Sequence, residues 1–297
     1  MNIFFSGDVH RKKDFFDRRL VGNFLISLAC ENKLHKKMNE KFSHTFDQDL
    51  NLMIDNGAFS AWNSGKKIIT IDDYTEFCLK FNKEYSSRFK NIYYIGLDCI
   101  PGKVNHSPSK EEINDAVKIT YSNYEHMMSK GCKNVLPVFH QHEDIEWGLR
   151  YQDHTDYICV SPANDESNSG RQKWLDVVYK ELNIKTRTHG LAVTGQVLLE
   201  KYPWYSVDAT TWKNPAIFGE YLSYKLNNYF RFKCSDIRDP RKDIKKASLN
   251  DCLFLSRYLD HNTDNLHKNL ILSLQNFNKY EKYLTELWTE RNIIWED

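Results

Sequence analysis

The regular alternation of short apolar runs with longer segments of helical period is the feature that most restricts how this chain can fold. Seven runs of apolar, β-branched and aromatic residues are predicted as strands: NIFFSG, LNLMID, NIYYIGLD, NVLPVFH, YICVSPA, THGLAV and WYSVDA. An eighth run, LVGNFLISLA (20–29), fits a strand or a helix equally well. Apolar residues recur at helical spacing in 72–85, 109–131 and 170–183, between several of these runs. This alternation predicts βαβ units and a parallel sheet.

About eight strands before residue 210 favour an α/β fold of the (β/α)8, TIM-like barrel type. A doubly wound open sheet is the competing architecture. From Pro215 onward the strand patterns largely disappear, and 246–262 and 267–288 have the pattern of amphipathic helices. We therefore predict a barrel catalytic domain over 1–214 and a C-terminal helical extension, 215–297, that packs on the barrel.

Cysteine usage and charge narrow the class of protein. The seven cysteines are an odd number and contain no C-x-x-C pair, which argues against a disulfide framework and a thiolate zinc site. The net charge of +1 gives no overall basic field for a polyanion. No apolar segment approaches the roughly 20 residues that span a bilayer. We expect a cytoplasmic protein without membrane contact, without a metal and without a cofactor.

Polar groups follow nearly every predicted strand. Asp55, Asp98 and Asp208 each end an apolar run, and His140 and Gln141 end another. In a closed parallel barrel these strand ends meet at one mouth. Several carboxylates around one pocket suit chemistry at a sugar carbon, because one can attack the anomeric carbon while another transfers protons. The sequence leaves open which aspartate takes which role.

Five segments in this order, IDNGAFSAW, YIGLDCIPG, LPVFHQHE, HGLAVTG and SVDATTW, resemble signature segments of the tRNA-guanine transglycosylase superfamily. The resemblance is greatest to its phage and bacterial DNA-modifying branch, the DpdA-like 7-deazaguanine DNA transglycosylases. It spans roughly residues 50–212, and HGLAVTG and the D-x-G-x-F of DNGAF are its more specific parts.

The resemblance implies a (β/α)8 barrel that exchanges guanine in a nucleic acid for a 7-deazaguanine base, such as a preQ0-like one, through a covalent glycosyl enzyme. Asp208 resembles the nucleophile of the family, and Asp55 resembles its general acid and base. Two successive displacements at the anomeric carbon would retain its configuration.

The resemblance also implies a set of base-binding residues. Asp98 resembles the carboxylate that holds the Watson–Crick edge of the base, and either Gln141 or His140 occupies the place of a base-contacting glutamine. Gly190 and Leu191 resemble a pair whose backbone approaches the purine. The aromatic side chains that could sandwich a base, with core packing as the alternative for each, are Phe59, Trp62 and Trp212.

Two departures from the family pattern affect the substrate. Relatives that act on tRNA carry a C-x-C-x-x-C plus His zinc site after the nucleophile segment, whereas only Cys234 and Cys252 follow residue 210 here. The loss of a zinc subdomain that docks tRNA favours DNA as the polymer. The usual D-S-G-G-F is D-N-G-A-F in this chain, which keeps Asp55 but changes the contacts beside it.

Two basic runs are candidate phosphate-binding segments. The first, 11–19, contains Arg11, Lys12 and Lys13, and the second, 238–246, contains Arg238, Arg241 and Lys242. A solvated protein surface is the alternative interpretation of each run.

Three other functions compete with base exchange on DNA. His140, His142, His189 and Asp208 would together suit the metal site of a (β/α)8 hydrolase, although the H-x-H pair of such enzymes belongs to the first strand. A zinc-free enzyme acting on tRNA keeps the same chemistry on another polymer. A binding module without catalysis is disfavoured, because it would need no nucleophile.

Overall fold

A computed structural model describes residues 1–7, 9–28, 49–65, 69–102, 107–163, 166–183, 186–214, 220–225, 228–233 and 263–295. The barrel strands are β1 (Asn2–Phe5), β2 (Asn23–Ser27), β3 (Asn51–Asp55), β4 (Asn91–Ile95), β5 (Val135–Leu136), β6 (Val138–His140), β7 (Tyr157–Ser161), β8 (Arg187–Gly190) and β9 (Ser206–Ala209). The helices are α1 (Lys13–Asp17), α2 (Ala58–Ser64), α3 (Ile71–Tyr85), α4 (Lys110–Ser129), α5 (Ile145–Gln152), α6 (Asn168–Glu181), α7 (Gln196–Lys201) and α8 (Thr263–Glu290).

The strands form one parallel, nearly closed ring in the order β5-β4-β3-β2-β1-β9-β8-β7-β6. The two ends of this order, β5 and β6, are consecutive in the chain and are separated only by Pro137. Proline has no N–H to donate and interrupts the ladder. If β5 and β6 are counted as one interrupted strand, the nine strands become eight. The prediction of a TIM-like (β/α)8 barrel is therefore confirmed, and the ambiguous run 20–29 contributes strand β2.

Side chains alternate between the inside of the barrel and the layer under the helices. Phe4, Leu25, Met53, Val138 and Cys159 belong to a small buried cluster inside the ring. Their neighbours in sequence, such as Phe5, Phe24, Leu52 and Phe139, face outward into the larger core that the helices cover. This period of two fixes which residues at the strand ends point into the mouth.

The predicted helix starts are confirmed by their caps. The Thr70 hydroxyl accepts a hydrogen bond from the N–H of Asp73 at the start of α3. Ser109 and Glu112 form a reciprocal capping box at the start of α4. Both caps satisfy backbone N–H groups in the first turn of their helices.

The C-terminal helix α8 packs on the barrel beside β1. Phe277 meets the ring of Phe5 edge to face at 6.2 Å between centroids. The Glu281 carboxylate accepts a 2.7 Å hydrogen bond from the N–H of Ile3, and the Asn278 amide donates to the carbonyl of Leu20. The predicted helical extension is therefore confirmed for this segment, whereas the division into domains at residue 214 stays a prediction.

An antiparallel hairpin of β10 (Glu220–Lys225) and β11 (Asn228–Lys233) precedes α8. The sequence analysis did not anticipate it, because strand patterns were judged to end near Pro215. The predicted helix 246–262 and the basic residues Arg238, Arg241 and Lys242 lie outside the described residues. Within the described ranges, no helix combines the length and the apolar character needed to cross a membrane.

Candidate active site at the carboxyl ends of the strands

Strand register brings three of the predicted residues to the inner wall of one mouth. Asp208 pairs with Phe4, whose side chain lies inside the ring. Asp55 lies two residues beyond the inward-facing Met53, and His140 lies two residues beyond the inward-facing Val138. Because side chains alternate along each strand, all three point into the barrel at its carboxyl end.

The charges of Asp98 and Asp208 act on Asp55 and on a thiol inside the ring. Burial raises the pKa of the Cys159 thiol inside the ring, and the charges of Asp98, Asp208 and Asp55 raise it further. Burial also raises the pKa of Asp55, from 3.8 to about 6, and the negative charges of Asp98 and Asp208 add to this rise. The nearby Ser27 hydroxyl and the Gly57 backbone oppose the rise without cancelling it. Asp55 is thus a carboxyl group that exchanges its proton close to neutral pH.

Asp98 is held by donors on both of its carboxylate oxygens. The Asn56 amide donates to Oδ1 at 2.9 Å, and His140 Nε2 lies 2.9 Å from Oδ2. The same Asn56 amide donates to the carbonyl of Gly96, and its oxygen accepts from the N–H of Ala58. The asparagine of D-N-G-A-F therefore ties the end of β3 to the loop after β4. Each oxygen of Asp98 keeps a second lone pair for a further donor.

His140 is clamped between two carboxylates. Its Nδ1 lies 2.9 Å from an oxygen of Glu143, and its backbone N–H donates to the other oxygen of Glu143. Burial by itself would lower the pKa of His140, but the hydrogen bonds and charges of Asp98 and Glu143 raise it to about 10. The ring is therefore an imidazolium at neutral pH, with both N–H groups already used. His140 therefore holds Asp98 in place, while the neighbouring Gln141 is buried and its amide oxygen accepts from the N–H of Ala163.

Asp208 is fixed through one oxygen. The N–H of Ala192 donates to Oδ1 at 2.6 Å, and His189 Nε2 lies 3.7 Å from the same oxygen. Ala192 has a φ of 54°, in the left-handed region that most residues avoid, and this backbone geometry aims its N–H at the carboxylate. Within the described residues no hydrogen bond engages Oδ2 of Asp208, which leaves that oxygen for a reacting group.

The remaining residues predicted to contact the base differ in burial and in the direction they face. Gly190 faces outward, where a Cβ atom would lie 2.9 Å from both Trp204 and Val193. Its lack of a side chain is therefore required by packing, while Leu191 packs against the interior cluster. Phe59 is half exposed, at 50%, and its ring lies 6.0 Å from that of Trp62.

The aromatic Trp212 is a core residue. It is 1% exposed, and its indole N–H donates to the carbonyl of Ser6. Core packing, the alternative for this ring, is therefore what the structure shows, because almost none of the side chain is accessible to a base. The indole of Trp62, partly buried, donates to the carbonyl of Gly102.

The first basic run follows β1 and so begins at the same end of the barrel. Phe15 and Phe16 enter the core, while Arg11 and Lys13 are exposed and Lys12 is half-buried. Lys13 lies 3.9 Å from Asp17, and Arg18 lies 3.9 Å from Asp14. The run is thus an amphipathic turn whose charges face solvent beside the mouth.

The residues considered for a metal site do not form one. Both ring nitrogens of His140 are bonded to carboxylates, and His142 is exposed with a φ of 81°. Among the described residues, no group of three or more His, Cys, Asp or Glu side chains is arranged to hold a metal ion. The arrangement of His140, His142, His189 and Asp208 thus does not support the hydrolase alternative.

Two cavities lie away from this site. One, of about 330 Å³, is lined by Asp176, Tyr179, Lys201 and Trp288, among others. The second, of about 390 Å³, is lined by Met1, Asn2, Tyr205 and Glu281, at the amino ends of the strands. Neither contains a candidate residue, and in barrels of this type the amino end serves stability rather than chemistry.

Sequence reasoning missed the partners that orient the candidate residues. Asn56, Glu143 and the N–H of Ala192 were not singled out, although each lies within a segment that carried the resemblance. Their spacing of one to three residues from a candidate was the available signal. Neither the comparison with protein-family models nor the comparison with curated proteins finds a match for this chain.

Proposed function

We propose that this protein is a DNA base-exchange transglycosylase that replaces guanine with a 7-deazaguanine derivative through a covalent Asp208–deoxyribosyl intermediate. The observation that supports this proposal best is the set of three aspartates in one barrel mouth, each in a different environment. Asp55 has a pKa of about 6, Asp98 is held by two donors, and Asp208 is held through one oxygen only. This division of roles suits an acid and base, a base-edge acceptor and a nucleophile.

In the first displacement, Oδ2 of Asp208 attacks C1′ of the target nucleotide. The C1′–N9 bond breaks, and its electron pair leaves with the purine. Protonated Asp55 donates its proton to the departing guanine and becomes a carboxylate. The new bond is an ester between Oδ2 and C1′.

The second displacement reverses these changes with another base. The incoming 7-deazaguanine gives its N9 proton to the Asp55 carboxylate, and N9 attacks C1′. The ester bond breaks, which restores the Asp208 carboxylate and leaves Asp55 protonated. A pKa of about 6 lets Asp55 act in both directions near neutral pH.

Asp98 selects the base in this scheme. Guanine and 7-deazaguanine share an N1–H and an exocyclic amine, which are two neighbouring donors on one edge. The two oxygens of Asp98 each have a lone pair beyond those used by Asn56 and His140. Adenine lacks this pair of donors, so the carboxylate would discriminate against it.

DNA is the proposed polymer because the chain lacks the cysteines of the zinc subdomain that docks tRNA in similar enzymes. In double-stranded DNA the nucleotide must leave the stack, which costs a few kcal/mol that contacts in the pocket offset. The exposed ring of Phe59 is a candidate stacking surface for the displaced base.

Exchange of radiolabelled guanine into DNA and into tRNA tests the reaction and the polymer together. We expect label in DNA, loss of exchange in Asp208→Ala, and impaired base selection in Asp98→Ala. Mass spectrometry of nucleosides from DNA incubated with candidate 7-deazapurines then identifies the incoming base. Label in tRNA alone would replace DNA by tRNA in the proposal, and label in neither polymer would overturn the proposal.

A further inference from the structure

A buried chain of three side chains runs through the barrel interior to the back of Asp208. His189 is 0% exposed, and its Nδ1 lies 2.6 Å from the Ser206 hydroxyl. The Ser206 hydroxyl lies 2.5 Å from that of Tyr157. Nε2 of His189 has no hydrogen-bond partner among the described residues and lies 3.7 Å from Oδ1 of Asp208. A buried polar atom without a partner calls for an explanation.

The positions of the protons along this chain follow from the acceptors that are present. Burial raises the pKa of Tyr157 well above 10, so its hydroxyl keeps its proton. The Ser206 oxygen lies within hydrogen-bond distance of the Tyr157 hydroxyl and can accept that proton. The Ser206 proton is then donated to Nδ1 of His189, which places the imidazole proton on Nε2. In the opposite tautomer a lone pair on Nε2 would face a carboxylate oxygen, which is repulsive.

A doubly protonated ring leads to the same contact. In that state Nδ1–H donates to Ser206, and Nε2–H still faces Asp208. Inside the ring, Phe4 meets the imidazole edge to face at 5.8 Å, and Cys159 is its register partner on β7. In either protonation state the group directed at Oδ1 of Asp208 is therefore an N–H donor.

We infer that His189, with its tautomer set by Tyr157 and Ser206, is a positioning residue for the nucleophile. This inference rests on the proposed function. The N–H of Ala192 then donates to Oδ1 of Asp208, and Nε2–H of His189 faces the same oxygen from 3.7 Å, so that Oδ2 is the oxygen directed toward C1′. In the glycosyl ester the same Oδ1 becomes the carbonyl oxygen. Donors on that oxygen favour departure of the carboxylate when the second base attacks.

The tautomer is tested by nitrogen NMR of the histidine rings in the full-length protein, which needs no catalytic activity. The signals of His189 are assigned by their loss in His189→Gln. We expect a proton on Nε2 in the wild-type protein, with Nδ1 as an acceptor in the neutral ring. We expect Ser206→Ala to shift the Nδ1 signal. A neutral ring with its proton on Nδ1 would overturn the inference, whether or not the protein exchanges bases.

The kinetic test compares His189→Gln with His189→Phe. The Gln side chain can place an amide N–H near the position of Nε2, whereas Phe fills the space without a donor. We expect His189→Phe to lower kcat by on the order of 100-fold with little change in KM, and His189→Gln to recover part of kcat. Wild-type kcat in a folded His189→Phe protein would contradict the role. If His189→Phe does not fold, the role of His189 is judged from two other measurements. These are the NMR result and the kcat of His189→Gln compared with that of Tyr157→Phe. A wild-type protein that exchanges no base refutes the proposed function instead, and leaves the tautomer result standing.

Discussion

At the scale of single residues, the site depends on carboxyl groups that share one mouth but differ in their partners. Asp55 is raised in pKa by burial and by the charges of Asp98 and Asp208. His140 is raised in pKa in spite of burial, because it lies between Asp98 and Glu143. Each shift is a statement about stability as well as chemistry.

The raised pKa of Asp55 predicts that ionisation of this carboxyl group lowers the free energy of unfolding. The shift is from 3.8 to about 6, so the stability that its protonated form contributes is full below pH 3.8 and is lost as pH rises through 6. Asp55→Asn cannot ionise. We expect the free energy of unfolding of Asp55→Asn, relative to wild type, to be higher at pH 7.5 than at pH 4 by on the order of 2 kcal/mol.

Urea unfolding at the two pH values measures this difference. The control is Asp115→Asn, because Asp115 is a solvent-exposed carboxylate, its side chain 67% exposed, on α4. The same pH dependence of stability in Asp55→Asn and in Asp115→Asn would show that ionisation of Asp55 does not destabilise the fold.

Glu143 should control the charge of His140. The folded pKa of about 10 exceeds the ordinary 6.5, so the stabilisation is full below pH 6.5 and is lost as pH rises through 10. Glu143→Gln removes one of the two carboxylates. We expect the titration midpoint of His140 to fall and the alkaline loss of stability to begin at lower pH.

Titration of the imidazole signals by NMR follows this change directly. Glu146→Gln, three residues further along and exposed, is the matched control. An unchanged midpoint of His140 in Glu143→Gln would mean that the clamp does not hold the proton.

At the scale of elements, β8 is the strand whose packing and chemistry are most closely joined. Its inward residue His189 faces Asp208, and its outward residue Gly190 lies against Trp204. The turn that follows contains Ala192, whose N–H holds the nucleophile. A displacement of this strand therefore moves both the N–H that binds Asp208 and the imidazole that faces it.

Gly190→Ala tests this connection. The added methyl would lie 2.9 Å from Trp204 and Val193, so strand or ring must shift. We expect a loss of about 1–3 kcal/mol in the free energy of unfolding, as in other overpacked cores, together with a loss of base exchange.

Gly22→Ala is the control for Gly190→Ala, since nothing lies within 4 Å of a Cβ atom at position 22. It should change stability by less than about 0.5 kcal/mol. Equal effects of the two substitutions, measured by chemical unfolding, would rule out the packing argument.

Most elements of the barrel could be predicted from patterns in the sequence. NVLPVFH was predicted as one strand, and the structure divides it at Pro137 because proline interrupts the ladder. Residues 20–29 were ambiguous because a short apolar run fits the period of a helix and that of a strand. In the structure this segment pairs with β1 and β3 and is therefore a strand. The hairpin β10–β11 was missed because its two strands pair with each other and not with the strands of the barrel.

At the scale of the whole molecule, the sequence predicts which residues reach the mouth, but not how they bind one another. Asp55, Asp98 and Asp208 could be placed from strand ends alone. The contact of His140 with Asp98 and the chain behind His189 depend on distances of 2.5–3.7 Å between side chains far apart in sequence. Such contacts follow from the closure of the ring, which no local pattern encodes.

The basic run beside the mouth predicts salt-dependent binding of DNA. Each phosphate contact contributes about 0.9 to the slope of log affinity against log salt. We expect Lys12→Ala with Lys13→Ala to lower that slope by up to about 2 in fluorescence anisotropy titrations. Lys180→Ala with Lys282→Ala, which removes two lysines that are each 80% exposed, is the control. A slope unaffected by the first pair would remove this run from the interface.

The most direct test of the central claim is to locate the covalent bond. The protein is mixed with guanine-containing duplex DNA, quenched in denaturant and digested, and the peptides are mapped by mass spectrometry. We predict a deoxyribosyl adduct on the peptide that contains Asp208, absent from Asp208→Asn. An adduct on another residue, or base exchange in DNA that persists in Asp208→Asn, would contradict the account.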